Sequence, residues 1–157
     1  MRKPPQELID FTQRHVPIFI HLAAAMPNEV PFLCRGYGFE LDAGTERLWV
    51  YILKNQGLRL KEYGRPLGIL SALLTSGVDN ESYQLKGRFA DVRSLSKEDA
   101  SLLAERHRWV ALHTPALAPI VRVNASDCLA VGLRVQTVYV QTPGPNAGFP
   151  LWEGGDR

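Results

Sequence analysis

Apolar and polar residues alternate along several stretches of the chain, and the alternation lays out most of its elements. In ESYQLKGRFADV, Glu81 to Val92, Tyr83, Leu85 and Phe89 fall on one side, and Ser82, Gln84, Lys86 and Arg88 on the other. That period of two predicts a half-buried strand. Cys128 to Val140 alternates in the same way, with Leu129, Val131, Leu133, Val135 and Tyr139 sharing a face. Four further runs read as strands: Ile18 to Ala25, Phe32 to Leu41, Leu48 to Leu53 and the nearly continuous apolar Leu67 to Thr75. The turns MPNEVP, DAGTE and SGVDN separate them.

Helical signals are fewer. Pro4 and Pro5 precede a short amphipathic helix over about 6–15. GLRLKEYG predicts a turn or two of helix that Gly64-Arg65-Pro66 stops. Ser96, with Asp99 three residues on, forms a capping box for a helix from Lys97 to about Leu112. Pro115 and Pro119 break up the segment that follows. The tail, about 141–157, carries too much Pro and Gly to predict regular structure. Six strands on short turns with few helices predict a mainly β fold, a six-stranded antiparallel barrel with flanking helices, in one domain spanning 1–157.

Composition narrows the function classes. A hydrophobic content of 45% and a charged content of 22% belong to an ordinary soluble globular chain. A net charge of +2, with no basic stripe, argues against nucleic acid as a partner. The longest apolar run, Val16 to Met26 with His21 inside it, is about half a membrane span, so no membrane partner is expected. MRKPPQELIDFTQ has charge but no apolar core behind it, unlike a signal peptide. Cys34 and Cys128 have no CxxC or Cys/His spacing; the reading is reduced thiols in a cytoplasmic protein. The four histidines lack carboxylates at ligand spacing, so no metal site is expected. GxSxG, HExxH, P-loop and GxGxxG motifs are missing from the sequence, so nothing points to hydrolysis at those sites or to dinucleotide binding.

Two places could carry chemistry. In RGYGFELD, Arg35 would share a strand face with Leu33, Tyr37, Phe39 and Leu41, with Gly36 and Gly38 opposite. A guanidinium among apolar neighbours needs an anion or several carbonyls, and its planar fork suits phosphate. An internal carboxylate pair or a snorkelling side chain satisfies the same pattern. The bare glycine face would let a flat group lie against the backbone. Ser82, Gln84 and Lys86 offer hydroxyl, amide and ammonium donors in one row, suited to a heterocycle edge, although such rows are commonly just solvated. Lys54 and Arg59, after the third strand, could close a phosphate site.

The order of these segments resembles the pyridoxamine 5′-phosphate oxidase-like, FMN-binding split-barrel family. PFLCRGYGFELD, the apolar strand before a short loop, and ESYQLKGRFADVRSLSKED carry the resemblance. It implies a homodimer with FMN in a groove between subunits. Arg35 matches the arginine that contacts the FMN phosphate in the true oxidases, and Tyr51 matches a tyrosine at the end of the third strand. The departures are as informative. Glu40 replaces a lysine, Ile52 and Leu53 replace Thr and Asn, and Gln56-Gly57-Leu58 replaces Ser-Arg-Lys. Glu81-Ser82 replaces an Arg-Gln pair, and Gln84 replaces a later arginine. The C-terminal Trp and Arg segment has no counterpart, so the vitamin B6 substrate site is not expected.

The resemblance therefore implies an FMN-dependent oxidoreductase acting on a small molecule. Its cofactor-binding set is Arg35, Gly36, Tyr37, Gly38, Tyr51, Lys54, Arg59, Ser82, Gln84 and Lys86, with no catalytic residue assigned. The alternative is a non-enzymatic flavin- or haem-binding, stress-related barrel. A haem reading needs an axial histidine near the groove, and no histidine lies in the segments that carry the resemblance.

Overall fold

A computed structural model describes residues 3–25, 30–62 and 68–154. The strands are β1 (Ile18–Ala24), β2 (Phe32–Gly36), β3 (Gly38–Asp42), β4 (Arg47–Leu53), β5 (Ile69–Ser76), β6 (Ser82–Ser94), β7 (Cys128–Val140) and β8 (Pro150–Glu153). They form one antiparallel sheet in the order β2-β1-β5-β6-β7-β4-β3, with β8 added beside β7. The helices are α1 (Gln6–Thr12), α2 (Lys54–Glu62), α3 (Lys97–His113) and the short α4 (Ala118–Val121).

Eight strands replace the six expected from the sequence. One extra strand arises because Phe32 to Leu41 breaks at Tyr37: its first half pairs with β1 and its second with β4. The sheet is thereby bent round until its two edges are consecutive pieces of chain. The Tyr37 N–H donates to the Tyr51 carbonyl at 2.8 Å and extends the β3–β4 ladder. The break also resets the side-chain phase. Phe32, Cys34 and Gly36 point inward on β2, whereas Phe39 points inward on β3, so Arg35 and Phe39 do not share a face. The other extra strand is β8, in the tail expected to be irregular, where the partner strand supplies the regularity its own residues lack.

Two bulges on the β6–β7 ladder reset the phase again. Between Thr137 and Val135 the chain carries an unmatched Gln136, so Val138 turns inward and Tyr139 outward, away from the face of Leu129, Val131, Leu133 and Val135. Gly87 sits at this irregularity; a Cβ there would overlap the Arg134 backbone, and only glycine fits.

The barrel interior is filled by Ile20, Leu22, Val50, Ile52, Leu70, Ala72, Leu74, Leu85 and Val138, joined by Leu8 and Phe11 of α1 and Leu60 of α2. A second apolar layer lies outside the barrel, where Leu103 of α3 packs on Tyr51, Ala130 and Trp49. α3 carries the expected cap: the Ser96 side chain accepts from the Asp99 N–H, and the Asp99 carboxylate accepts from the Ser96 N–H. Helix α3 thus covers the outer face of β3, β4 and β7. The expected MPNEVP turn lies partly, and the Gly64-Arg65-Pro66 stop wholly, outside the described residues.

Candidate functional site

On the other half of the barrel the register lines up side chains across five strands. Arg35 of β2 stands opposite His21 of β1, His21 opposite Leu73 of β5, Leu73 opposite Gln84 of β6, and Gln84 opposite Tyr139 of β7. The next row is Leu33, Ala23, Ser71, Lys86 and Thr137. These residues alternate with the core positions and so face outward. Three strand spacings separate Arg35 from Gln84, a span of about 14 Å. The face also exposes large apolar groups: Leu33 is 67% and Ile69 59% exposed.

The polar groups of this face are only partly engaged. Gln84 Nε2 donates to Ser71 Oγ at 2.9 Å, and Gln84 Oε1 accepts from Gln141 Nε2 at 3.0 Å. The Lys86 ammonium lies 4.9 Å from the Tyr139 ring centroid. Among the described residues no carboxylate pairs with Arg35. The exposed His21 beside it, on β1 outside the segments that carry the family resemblance, places a histidine in the row. Ser82 differs from its row mates: it is 5% exposed, and its hydroxyl donates to the Asn80 carbonyl at 2.8 Å inside the β5–β6 turn.

The remaining predicted residues sit elsewhere or are used by the protein itself. A Cβ on Gly36 would come within 2.7 Å of Val50 Cγ1, and one on Gly38 within 2.7 Å of the Tyr51 ring. The glycines therefore admit neighbouring side chains and leave no open cradle for a flat ligand. Tyr51 has no exposed surface, and its hydroxyl donates to Asp99 Oδ1 at 2.7 Å. Asp99 also pairs with Arg93, whose guanidinium lies 4.3 Å from the Trp49 ring and 3.7 Å from Glu40. Burial by itself would raise the Asp99 carboxyl, but hydrogen bonds from Arg93, Tyr51 and the Ser96 backbone outweigh it and bring it down to about 2. Lys54 lies on α2 beside Ser94, Ser96 and Cys128 around a shallow depression, and Arg59 stands over the Phe32 ring at 5.5 Å.

One corner escaped the sequence reading. Where the start of β1 and the end of β2 meet α3, a cavity of about 30 Å³ is lined by Ile18, Arg35, Tyr37, Arg106, His107, Val110 and their neighbours. The Arg106 guanidinium donates to the Thr12 carbonyl at 3.0 Å and lies 4.3 Å from the Phe39 ring centroid. His107 Nε2 is buried and has no hydrogen-bond partner. Burial lowers both groups' proton affinity. The available signal was helical phase: Arg106 and His107 fall between Leu103 and Val110 on the stripe that α3 turns toward the barrel.

No family model and no curated protein matches the sequence. Solved structures do. HupZ of Group A Streptococcus superposes with a TM-score of 0.55 at 11% identity, over 92% of this chain and 99% of that one. A conserved hypothetical protein of Mycobacterium tuberculosis, Rv2991, gives 0.55 at 17% identity, over 99% and 94%. A Clostridium acetobutylicum protein related to general stress protein 26, of the pyridoxinephosphate oxidase family, gives 0.51 at 11%, over 93% and 91%. The strand order, the broken closing strand and these superpositions identify the fold as the split barrel of the pyridoxamine 5′-phosphate oxidase-like proteins.

Proposed function

We propose that the chain forms a homodimer through the bare outer face of β2, β1, β5 and β6, and binds FMN there as an oxidoreductase of a small molecule. The observation that carries this reading is Arg35: a guanidinium with no carboxylate partner among the described residues, in one register row with Gln84 on the uncovered face of a split barrel.

The face fits the cofactor in its polar ends and departs from expectation in between. Arg35 would neutralise the phosphate, and the span of about 14 Å to Gln84 suits an extended flavin nucleotide. Gln84 and Lys86 would hold the polar edge of the ring, and the ammonium would favour the reduced, anionic form. Leu33, Leu73 and Tyr139 offer apolar surface for the ring to lie on. Gly36, Gly38 and Tyr51 take no direct part, because their space and hydrogen bonds are spent inside the protomer. Bound flavin supplies hydride or electron transfer, and the protein's share is binding, orientation and tuning. A reducing compartment such as the cytoplasm suits Cys34 and Cys128, both free and buried; burial pushes their thiols up to about 12 and about 11.

His21 favours a second reading, haem binding on the same face. An exposed imidazole one strand from Arg35 could ligate iron while the arginine pairs with a propionate. The absorbance spectrum of the untreated protein, with its mass in solution, separates the two. Flavin bands on a dimer are the expected result, and a Soret band selects haem. Colourless protein whose melting temperature FMN leaves unchanged rejects both.

A further inference from the structure

We propose that the cavity between α3 and the junction of β1 with β2 is a binding site for a small carboxylate, with Arg35, Arg106 and His107 as its polar wall. The site stands on its own geometry and does not require the flavin reading. Two arginines, Arg35 and Arg106, line one cavity, and among the described residues neither forms an ion pair with a carboxylate. Arg106 is held by the Thr12 carbonyl and the Phe39 ring, contacts that position its charge without neutralising it. Both arginines are half-buried, and burial disfavours the Arg106 charge, a cost that an anion entering the cavity offsets.

His107 adds direction. His107 Nε2 is buried and without a hydrogen-bond partner, and the Val121 segment of α4 closes the cavity beside the imidazole. A buried nitrogen with no partner is uncommon, and a ligand or water that meets it is the usual explanation. Burial, with Arg122 nearby, lowers the proton affinity of the imidazole. A bound carboxylate reverses the balance, because its charge favours the imidazolium. Nε2 then takes a proton from solvent and donates to the oxyanion.

The rest of the wall selects the organic part. Val16, Ile18, Val110 and Val121 line the same cavity, so a short aliphatic stem fits and a fully hydrated inorganic ion does not. A cavity of about 30 Å³ has room for roughly two waters. The carboxylate head alone fills that space, so the class of ligand that matches carries its one to three carbons out through the cavity mouth.

Calorimetric titration of the whole chain with propionate, and separately with inorganic phosphate and FMN, tests the site. Propionate is expected to bind, and phosphate to bind at least tenfold more weakly. Removing one charge-assisted hydrogen bond should weaken propionate by roughly ten- to hundredfold in His107→Leu and in Arg106→Gln. His107→Leu also deletes the buried nitrogen that lacks a partner, so its melting temperature without ligand should stay level or rise. It keeps the test alive if Arg106→Gln fails to fold. Propionate binding that both variants leave intact, or no binding at all, overturns the proposal. So does FMN affinity that falls in parallel with propionate in both variants, since the cavity would then hold the flavin phosphate.

Discussion

The two halves of the barrel's outer surface meet the same problem in opposite ways. On β3, β4 and β7, Tyr51, Trp49 and Ala130 point outward, and α3 covers them. The central polar groups there are linked: Tyr51 gives its hydroxyl to Asp99, Asp99 closes the helix cap, and Arg93 joins Asp99 to Glu40. On β2, β1, β5 and β6, α3 meets the outward row only at its Arg35 end, Leu33 and Ile69 stay exposed, and Arg35 has no acid among the described residues. A satisfied network beneath a helix holds the fold together, whereas an unsatisfied row on an open sheet is surface kept for something else.

Breaking the satisfied half should have the largest effect on stability. Asp99→Ala removes the cap and strands the buried Tyr51 hydroxyl, at a cost of about 3 kcal/mol. Thermal melting should show a drop of roughly 9 °C for a chain of this size. The same carboxylate sets an acid limit. Its folded value of about 2 lies below the ordinary 3.8, so its stabilisation is complete above 3.8 and is lost as pH falls towards 2. Melting temperatures measured between pH 5 and 2 should fall less steeply in Asp99→Asn than in the parent, on the order of a few degrees' difference.

The open half should answer through binding instead. Arg35→Ala is expected to change unfolding free energy by no more than about 0.5 kcal/mol. Its FMN affinity should fall roughly ten- to hundredfold, read by fluorescence quenching of added FMN. Undiminished FMN binding in that variant would remove the phosphate assignment. The smallest effect belongs to Lys86→Met, which loses the cation–π contact with Tyr139 and about 0.5 kcal/mol in chemical denaturation.

Strong local signals made part of the molecule legible in the sequence. Ser96 and Asp99 mark the start of α3 because a capping box needs only residues three apart. The bounds of β7, Cys128 to Val140, follow from sustained apolar periodicity between two polar segments, even though its phase shifts at Gln136. The placement of Gln84 on an outward row followed from the same period of two. Arg35, expected among the apolar side chains of Leu33, Tyr37, Phe39 and Leu41, turned outward because the strand breaks at Tyr37. The alignment of the two across intervening strands was not legible. That alignment depends on pairing partners far apart in the chain.

The sequence by itself determined which stretches are strands, where α3 begins, and which residue types could meet an anion, because those signals act over a few neighbouring residues. Tertiary structure alone decided the break at Tyr37, the pairing of β8, the phase shift at Gln136, and the inward commitment of Gly36, Gly38 and Tyr51. It also brought Arg106 and His107 of α3 to the same cavity as Arg35. Each of these follows from register and closure, and a period of two cannot record where a sheet must bend to meet its own other edge.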